Sequence, residues 1–195
     1  MPSDVRDTIE LSDPRALRAL AHPTRLVLVG LLRREGPLTA TAAGERIGQS
    51  PASCSFHLRQ LAKWGLVEEA GGGRGRERPW RATARTTSWK VTDPAQAEPS
   101  AALGAIIVQH QMQRVLEAVR RQPGESAAWQ RAHQLSDTQM LLTPEQLEDL
   151  GARVWQVVKS YEPRSREEAD ARAASEGARR VDLFFAAFPE AAEER

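Results

Sequence analysis

The sequence predicts a mainly α-helical fold with a small β component, in the α+β class. Three observations lead to this class. Two short helical patterns meet at a tight turn within residues 39–64, two short strand patterns flank a glycine- and arginine-rich loop at residues 71–79, and one long helical pattern spans residues 98–121. A chain of 195 residues with 41% hydrophobic content can bury a core and form one domain or two small ones.

Charge divides the chain into two halves. Residues 1–92 carry 15 Lys and Arg against 9 Asp and Glu, whereas residues 93–195 carry 12 against 17. We therefore predict a basic N-terminal domain over residues 1–92, suited to nucleic acid, and a C-terminal domain over residues 93–195. The single cysteine excludes an internal disulfide. Because no stretch reaches 18 uninterrupted apolar residues and the first ten residues lack a secretory signal, we expect a cytoplasmic protein without a membrane partner.

Two helices are predicted before the tight turn. The first dozen residues are expected to be loosely ordered. Asp13 and Pro14 then begin a short helix, and Pro23 begins a second, strongly apolar helix that ends at Gly36 and Pro37. This second helix is predicted to form the centre of the core.

The two helices that follow are short and are joined by a turn of three residues. Thr39 or Thr41 can cap the first of them, and Gly48 ends it. Ser50 then stands at an N-cap, with Pro51 as the first helical residue. The buried stripe of the second helix recurs at spacings of four and three and consists of Cys54, Leu58 and Leu61.

The opposite face of the second helix is polar at its start and basic toward its end. It carries Ser53, Ser55, Phe56, Arg59, Gln60 and Lys63. Such side chains are typical of a recognition helix, whose first residues reach base edges while flanking groups hold phosphates. Any amphipathic helix also has a polar face, so the helix pair alone does not distinguish a recognition helix from an ordinary solvated one.

The segment after this helix favours the nucleic-acid interpretation. Leu66–Glu69 and Trp80–Ala82 are predicted strands, and the loop between them contains Arg74, Arg76 and Arg78 among four glycines. Arginines on a loop that cannot pack are able to follow a phosphate backbone or enter a minor groove. The hairpin is therefore predicted to be a wing, with a solvated loop as the simpler alternative.

The segments AHPTRLVLVGLL, SPASCSFHLRQLAKWGLVEE and GGGRGRERP, taken together, resemble the winged helix-turn-helix domain of ArsR-like bacterial transcription regulators. The resemblance covers roughly the first half of the chain and implies a dimeric regulator that binds duplex DNA. It places His57, in an SxHL pattern, against the duplex. The expected DNA-binding residues are Thr39, Ser50, Ser53, Ser55, His57, Arg59, Lys63, Arg74, Arg76 and Arg78.

No cofactor, metal site or enzyme activity is expected. Metal-sensing members of this family carry paired cysteines in the first helix of the motif, where this chain reads TAAGERIG. Cys54 is predicted to be a buried core residue, and one thiol cannot supply the ligands of a zinc or arsenic site. The histidines, at positions 22, 57, 110 and 133, are too scattered for a local site. The sequence contains no nucleophile elbow, phosphate-binding loop or HExxH motif.

The C-terminal half is predicted to support dimerisation. After a linker, in which Ser88–Val91 could form a strand against the wing, the helix 98–121 carries apolar residues near a common face. In regulators of this architecture such a helix pairs with its twin, which places two recognition helices on a palindromic operator. Packing within its own chain is the alternative.

The last third is predicted to be a small α+β lobe. It would contain a helix over Trp129–Leu135, a strand over Asp137–Leu142, a helix after a capping box at Thr143, a loop over residues 162–178, and a strand over Val181–Phe185. Its aromatic residues could hold an unknown small apolar effector, although such residues more often form core.

A different class of function stays open at this stage. A winged helix can dock a protein partner through the same polar face without binding DNA directly. The arginine-rich wing is the feature that distinguishes the two hypotheses, because a protein-docking role does not require it.

Overall fold

A computed structural model describes residues 5–72, 78–161, 168, 171–172, 174–175 and 177–190. The chain is mostly helical with short strands. The first elements are β1 (Arg6–Glu10), α1 (Pro14–Leu20), α2 (Pro23–Glu35), α3 (Ala40–Ile47) and α4 (Pro51–Ala62). They are followed by β2 (Val67–Glu69), β3 (Trp80–Ala82), β4 (Ala84–Ser88), α5 (Ala97–Arg121), α6 (Ala127–Ala132) and α7 (Pro144–Ser160). The predicted fold class is confirmed: this is a winged helix-turn-helix arrangement in a mainly helical chain.

The wing is built on a two-stranded sheet of β2 and β3, extended by one bridge residue. These strands pair antiparallel, with Val67 opposite Ala82 and Glu69 opposite Trp80. Leu38, just before α3, adds a bridge on the other side of Trp80 through two backbone hydrogen bonds of 2.8 and 3.0 Å. The hairpin is therefore fixed to the start of the helix-turn-helix.

The prediction that the first dozen residues are loosely ordered is wrong for β1. This strand pairs in parallel with β4, with Arg6 opposite Ala84 and Glu10 opposite Ser88. The strand predicted at Ser88–Val91 is also displaced: the observed strand is β4, and its partner is β1 and not the wing. The signal was weak because four of the five residues of β1 are exposed, which leaves no alternation of buried and exposed positions to detect.

A half-buried arginine ties α2 to β4. Arg33 donates from Nε to the backbone oxygen of Ala84 at 2.9 Å and from Nη2 to Oγ1 of Thr87 at 2.6 Å. Burial lowers the pKa of Arg33 to about 10, which still leaves the guanidinium charged at neutral pH. Its partners are neutral oxygens, so the charge is held by hydrogen bonds.

The core of the N-terminal unit includes the start of α5. One cluster of fully buried side chains includes Leu17, Leu28, Cys54, Leu58, Leu61 and Leu103. By packing, the chain forms two compact units, Met1–Gly124 and Glu125–Arg195. The boundary predicted after residue 92 therefore lies within the first unit, because Leu103 of α5 belongs to its core.

The second unit differs from the predicted α+β lobe. The capping box at the start of α7 is present: Oγ1 of Thr143 accepts from the amide of Gln146, and the side chain of Gln146 accepts from the amide of Thr143. The strands predicted at Asp137–Leu142 and Val181–Phe185 are wrong, since neither segment forms a strand or pairs with one in the part of the chain that is described. Their apolar side chains are exposed, so the alternating pattern does not correspond to a buried sheet face.

None of the helices in the described ranges has the length and apolar character needed to cross a membrane.

Candidate nucleic-acid interface

The turn between α3 and α4 is held by side-chain caps at both helix starts. Oγ1 of Thr39 accepts from the amide of Ala42 at 3.1 Å, and Oγ of Ser50 accepts from the amide of Ser53 at 3.2 Å. Gly48 ends α3 in the left-handed conformation, with φ of 67°. Both caps and the glycine stop agree with the sequence prediction, so the geometry of the turn is encoded locally.

α3 lies so close to the turn before α4 at one point that only glycine fits. The backbone oxygen of Gly44 accepts from the amide of Gln49 at 3.0 Å. A Cβ atom on Gly44 would lie 2.5 Å from the backbone oxygen of Gln49. Gly44 therefore fixes the distance between α3 and the turn that leads into α4.

α4 presents one outward face opposite its buried stripe. The fully buried residues are Cys54, Leu58 and Leu61, and the outward face consists of Ala52, Phe56, Arg59 and Lys63. Ser53 and Ser55 lie half-buried at the flanks of this face. Arg59 bonds from Nε to the backbone oxygen of Ser55 at 3.2 Å, which holds its guanidinium along the helix while the side chain stays exposed.

The expected DNA-binding residues occupy three different environments. Arg59 and Lys63 are on the outward face, Ser53 and Ser55 flank it, and the hydroxyls of Thr39 and Ser50 serve as helix caps. A capping hydroxyl accepts one bond from the helix and still has its own proton to donate. The remaining positions are His57 and the wing arginines.

His57 turns toward α2 instead of straight outward. Its ring centroid lies 4.6 Å from that of His22, the N-cap of α2, whose Nδ1 accepts from the amide of Thr24 at 3.2 Å. Nδ1 of His57 is buried without a hydrogen-bond partner among the described residues. Desolvation lowers the pKa of His57, and the neighbouring His22 and Arg25 lower it further.

A cluster of two histidines and one arginine beside α4 was not anticipated from the sequence. Arg25 lies close enough to His22 and His57 to lower the pKa of both histidines, and desolvation lowers its own pKa. Its Nε atom is buried without a hydrogen-bond partner within the described part of the chain. Since His57 is separated from the other two by more than thirty residues, no spacing in the sequence signals the cluster.

The wing is only partly described. Arg74 and Arg76 lie outside the described residues. Arg78 is exposed and lies 3.8 Å from Glu69 of β2, and Arg81 forms a 2.8 Å ion pair with Glu68. Two acidic residues of β2 therefore offset part of the positive charge at the base of the wing, which the arginine count alone did not indicate.

Among the described residues, Cys54 does not belong to a group of side chains that could bind a metal ion. Cys54 is buried, and burial raises the pKa of its thiol. In the described ranges, no group of three or more His, Cys, Asp or Glu side chains is arranged to hold a metal ion.

The second unit contains a small apolar cavity, which is relevant to the predicted binding of an apolar effector. Its volume is about 120 Å³. The lining residues come from α7 and from the C-terminal segment, and they are Val154, Trp155, Val158, Leu183, Phe184 and Phe185. None of these side chains is charged.

Comparison with known families matches the first unit. The family described as "Helix-turn-helix domain" matches residues 20–70, which span α2, the α3–α4 pair and β2. The chain contains a helix-turn-helix domain. The match covers α4 with its outward face and stops before the wing loop. No curated protein matches the chain.

Several solved structures resemble parts of the chain. A "possible transcriptional regulator for arsenical resistance" is 28% identical, with 52% of this chain and 93% of that chain covered and a TM-score of 0.31. A "probable transcriptional regulator" from Pseudomonas aeruginosa is 20% identical over 54% and 85% of the two chains, with a TM-score of 0.33. A variant of MepR from S. aureus bound to an oligodeoxyribonucleotide is 14% identical over 76% and 88%, with a TM-score of 0.30. Because these TM-scores are low, the likeness supports no functional inference on its own.

Proposed function

We propose that the protein is a sequence-specific transcription regulator of the ArsR-like winged-helix type, which binds duplex DNA as a homodimer in the cytoplasm. α4 enters the major groove, Ser53 and Ser55 contact base edges, and Arg59 and Lys63 contact flanking phosphates. The wing extends the footprint through Arg74, Arg76 and Arg78. No catalytic step, metal or cofactor is part of this proposal.

The observation that carries the proposal is the outward face of α4. The outward face of α4 does not pack against the core, because the buried stripe on the other side already does so. This outward face nevertheless combines two exposed cations with two flanking hydroxyls. The pattern matches the division of labour on DNA, in which cations position the helix on phosphates and short polar groups read bases. The helix-turn-helix match over residues 20–70 supports the same function.

Dimerisation is proposed through the distal part of α5. The start of this helix is anchored by the fully buried Leu103. Further along, a stripe of apolar side chains recurs at spacings of four and three and is 37–48% exposed, namely Val108, Met112, Leu116 and Val119. A second copy that packs on this stripe would remove it from water and create a two-fold axis suited to a palindromic operator.

The rival function is a winged helix that docks a protein. Two observations support this rival. Glu68 and Glu69 neutralise part of the positive charge at the base of the wing, and α4 exposes the aromatic ring of Phe56. Exposed aromatic residues are enriched at protein interfaces. The rival predicts that affinity for duplex DNA is weak and insensitive to the basic residues of α4.

The deciding experiment measures binding of the full chain to the DNA upstream of its own gene and to a scrambled duplex, across a series of salt concentrations. We expect preference for the upstream DNA and a steep loss of affinity with salt. The variant R59A/K63A should bind both duplexes more weakly and should reduce the slope of log K against log salt by about 2, since each phosphate contact contributes about 0.9.

The matched control is Lys159→Ala, which removes a cation from α7 in the second unit. This variant should leave affinity and salt dependence unchanged. If R59A/K63A behaves like the control, α4 does not contact phosphates and the proposal fails. Binding to neither duplex at low salt would favour the protein-docking rival.

The small apolar cavity of the second unit would fit a small apolar effector. The cavity between α7 and the C-terminal segment has a volume of only about 120 Å³ and no charged lining residue. Apolar fluorophores or small aromatic compounds are therefore the appropriate probes, with release from DNA as the readout.

A further inference from the structure

One residue on the outward face of α4 does not fit the polar pattern of its neighbours. Phe56 is 53% exposed, although it is a large aromatic residue on a folded and capped helix. It lies midway along the face, between Ala52 and the pair Arg59 and Lys63. A large exposed apolar side chain in the centre of a polar surface is informative, because burying it in a complex is favourable.

The ring of Phe56 is supported from behind. It lies edge-on to the ring of His57, with centroids 5.3 Å apart and planes at 73°. His57 in turn contacts His22, which is anchored as the N-cap of α2 by its bond to Thr24. This series of ring contacts restricts the orientation of Phe56, so less side-chain freedom is lost when a ligand covers the ring.

We propose that Phe56 is a specificity-determining residue that recognises the C5-methyl group of thymine in the major groove. This inference rests on the proposed DNA-binding function. The cations that flank Phe56 direct α4 toward phosphates, and an apolar side chain at the centre of such a helix meets base edges. Among the groups displayed in the major groove, the thymine methyl is the apolar one. The groups of cytosine, guanine and adenine that project there are polar, and an aromatic ring cannot satisfy them.

The same geometry assigns His22 and His57 a positioning role. They do not need to contact DNA for Phe56 to read a base, because they hold its ring. This accounts for the orientation of His57 toward α2, which is unexpected for a direct base contact.

The test uses the full-length protein and a duplex selected from a random library by the wild-type chain. Each thymine of the selected site is replaced in turn by deoxyuridine, which differs only by loss of the C5-methyl. We expect wild-type affinity to fall about fourfold at one or two thymines per half-site, the factor that corresponds to burial of one methyl group. Phe56→Ala should bind the thymine and uracil duplexes equally, and Phe56→Leu should retain part of the discrimination.

Arg59→Ala serves as the matched control on the same helix face. It should weaken binding to both duplexes by the same factor and leave the thymine-to-uracil ratio as in the wild type. Thermal unfolding of all variants checks that the fold is intact, which is expected because both side chains are exposed.

Two results would overturn the inference, and they are distinguishable. If the wild type enriches a specific duplex but Phe56→Ala keeps the same thymine-to-uracil ratio, Phe56 does not read the methyl group while DNA binding stands. If no duplex is enriched at all, the DNA-binding function fails together with this inference, and the exposed ring is better assigned to a protein partner.

Discussion

Replacing Gly44 by alanine should destabilise the helix-turn-helix, whereas the same replacement at Gly30 should not. Both glycines lie within helices of the first unit, Gly44 in α3 and Gly30 in α2. On helix propensity alone, each change would stabilise the protein by up to about 1 kcal/mol. The surroundings of the added Cβ decide the outcome, and they differ in kind.

The magnitude follows from the distances. At Gly44 the new Cβ would lie 2.5 Å from the backbone oxygen of Gln49, where ordinary contact begins at 3.4 Å, so the turn must move by about 0.9 Å. This movement strains the hydrogen bond between Gly44 and Gln49, and overpacking of this kind costs about 1–3 kcal/mol. At Gly30 the nearest atom is Nη1 of Arg34 at 3.2 Å, the far end of a flexible side chain that can move at little cost.

The assay is urea unfolding of the wild type and the two variants, followed by circular dichroism. We expect Gly44→Ala to lower the free energy of unfolding by about 1–3 kcal/mol and Gly30→Ala to change it by no more than about 1 kcal/mol in the stabilising direction. Affinity for DNA should fall for Gly44→Ala at temperatures where it remains folded, because α4 follows the turn. Equal effects at the two positions would refute the close approach of α3 and the turn.

Three further predictions concern single residues. Leu103→Ala should lower the free energy of unfolding by about 3 kcal/mol, as expected for a fully buried leucine. Leu116→Ala on the exposed stripe should lower it by less than about 1 kcal/mol and should instead raise the dimer dissociation constant measured by sedimentation. The pKa values of His22 and His57 are lowered in the folded state, so the folded protein binds fewer protons than the unfolded chain. The contribution of these histidines to the free energy of unfolding is therefore complete above pH 6.5 and is lost as the pH drops below that value. When unfolding is measured from pH 8 to 5, the free energy of unfolding should fall less steeply in His57→Gln than in the wild type. Ser50→Ala removes the N-cap of α4 and should cost about 1 kcal/mol in thermal unfolding, an expectation contradicted if Tm is unchanged.

The features that the sequence predicted well are those encoded within one turn of helix. Ser50 with Pro51, the left-handed Gly48, and the capping box of Thr143 with Gln146 each combine residues a few positions apart, and each is present in the structure. The polar face of α4 was predictable for the same reason, because it is the complement of a regular buried stripe.

The features that were missed depend on contacts between distant parts of the chain. β1 pairs with β4 across nearly eighty residues, and its exposed side chains carry no periodic signal. The contact between His22 and His57 joins an N-cap to a different helix, so neither residue indicates the other in the sequence. In the C-terminal segment, by contrast, a strand was predicted where none is present. Alternation at Val181 and Leu183 predicted it, but alternation produces a sheet only where a partner strand and a buried face exist.

In the proposed dimer, the two environments along α5 would connect dimerisation to DNA recognition. Its first turns are fixed in the core by Leu103, the same core that holds the buried stripe of α4. Its distal turns carry the exposed apolar stripe around Leu116. A second copy packed on that stripe would therefore be held in a fixed orientation to α4 of both chains, so the spacing of operator half-sites would follow from the length of α5. A variant that loosens the core contact at Leu103 should consequently relax the preference for one half-site spacing, whereas a variant at Leu116 should weaken dimerisation without changing which spacing is preferred.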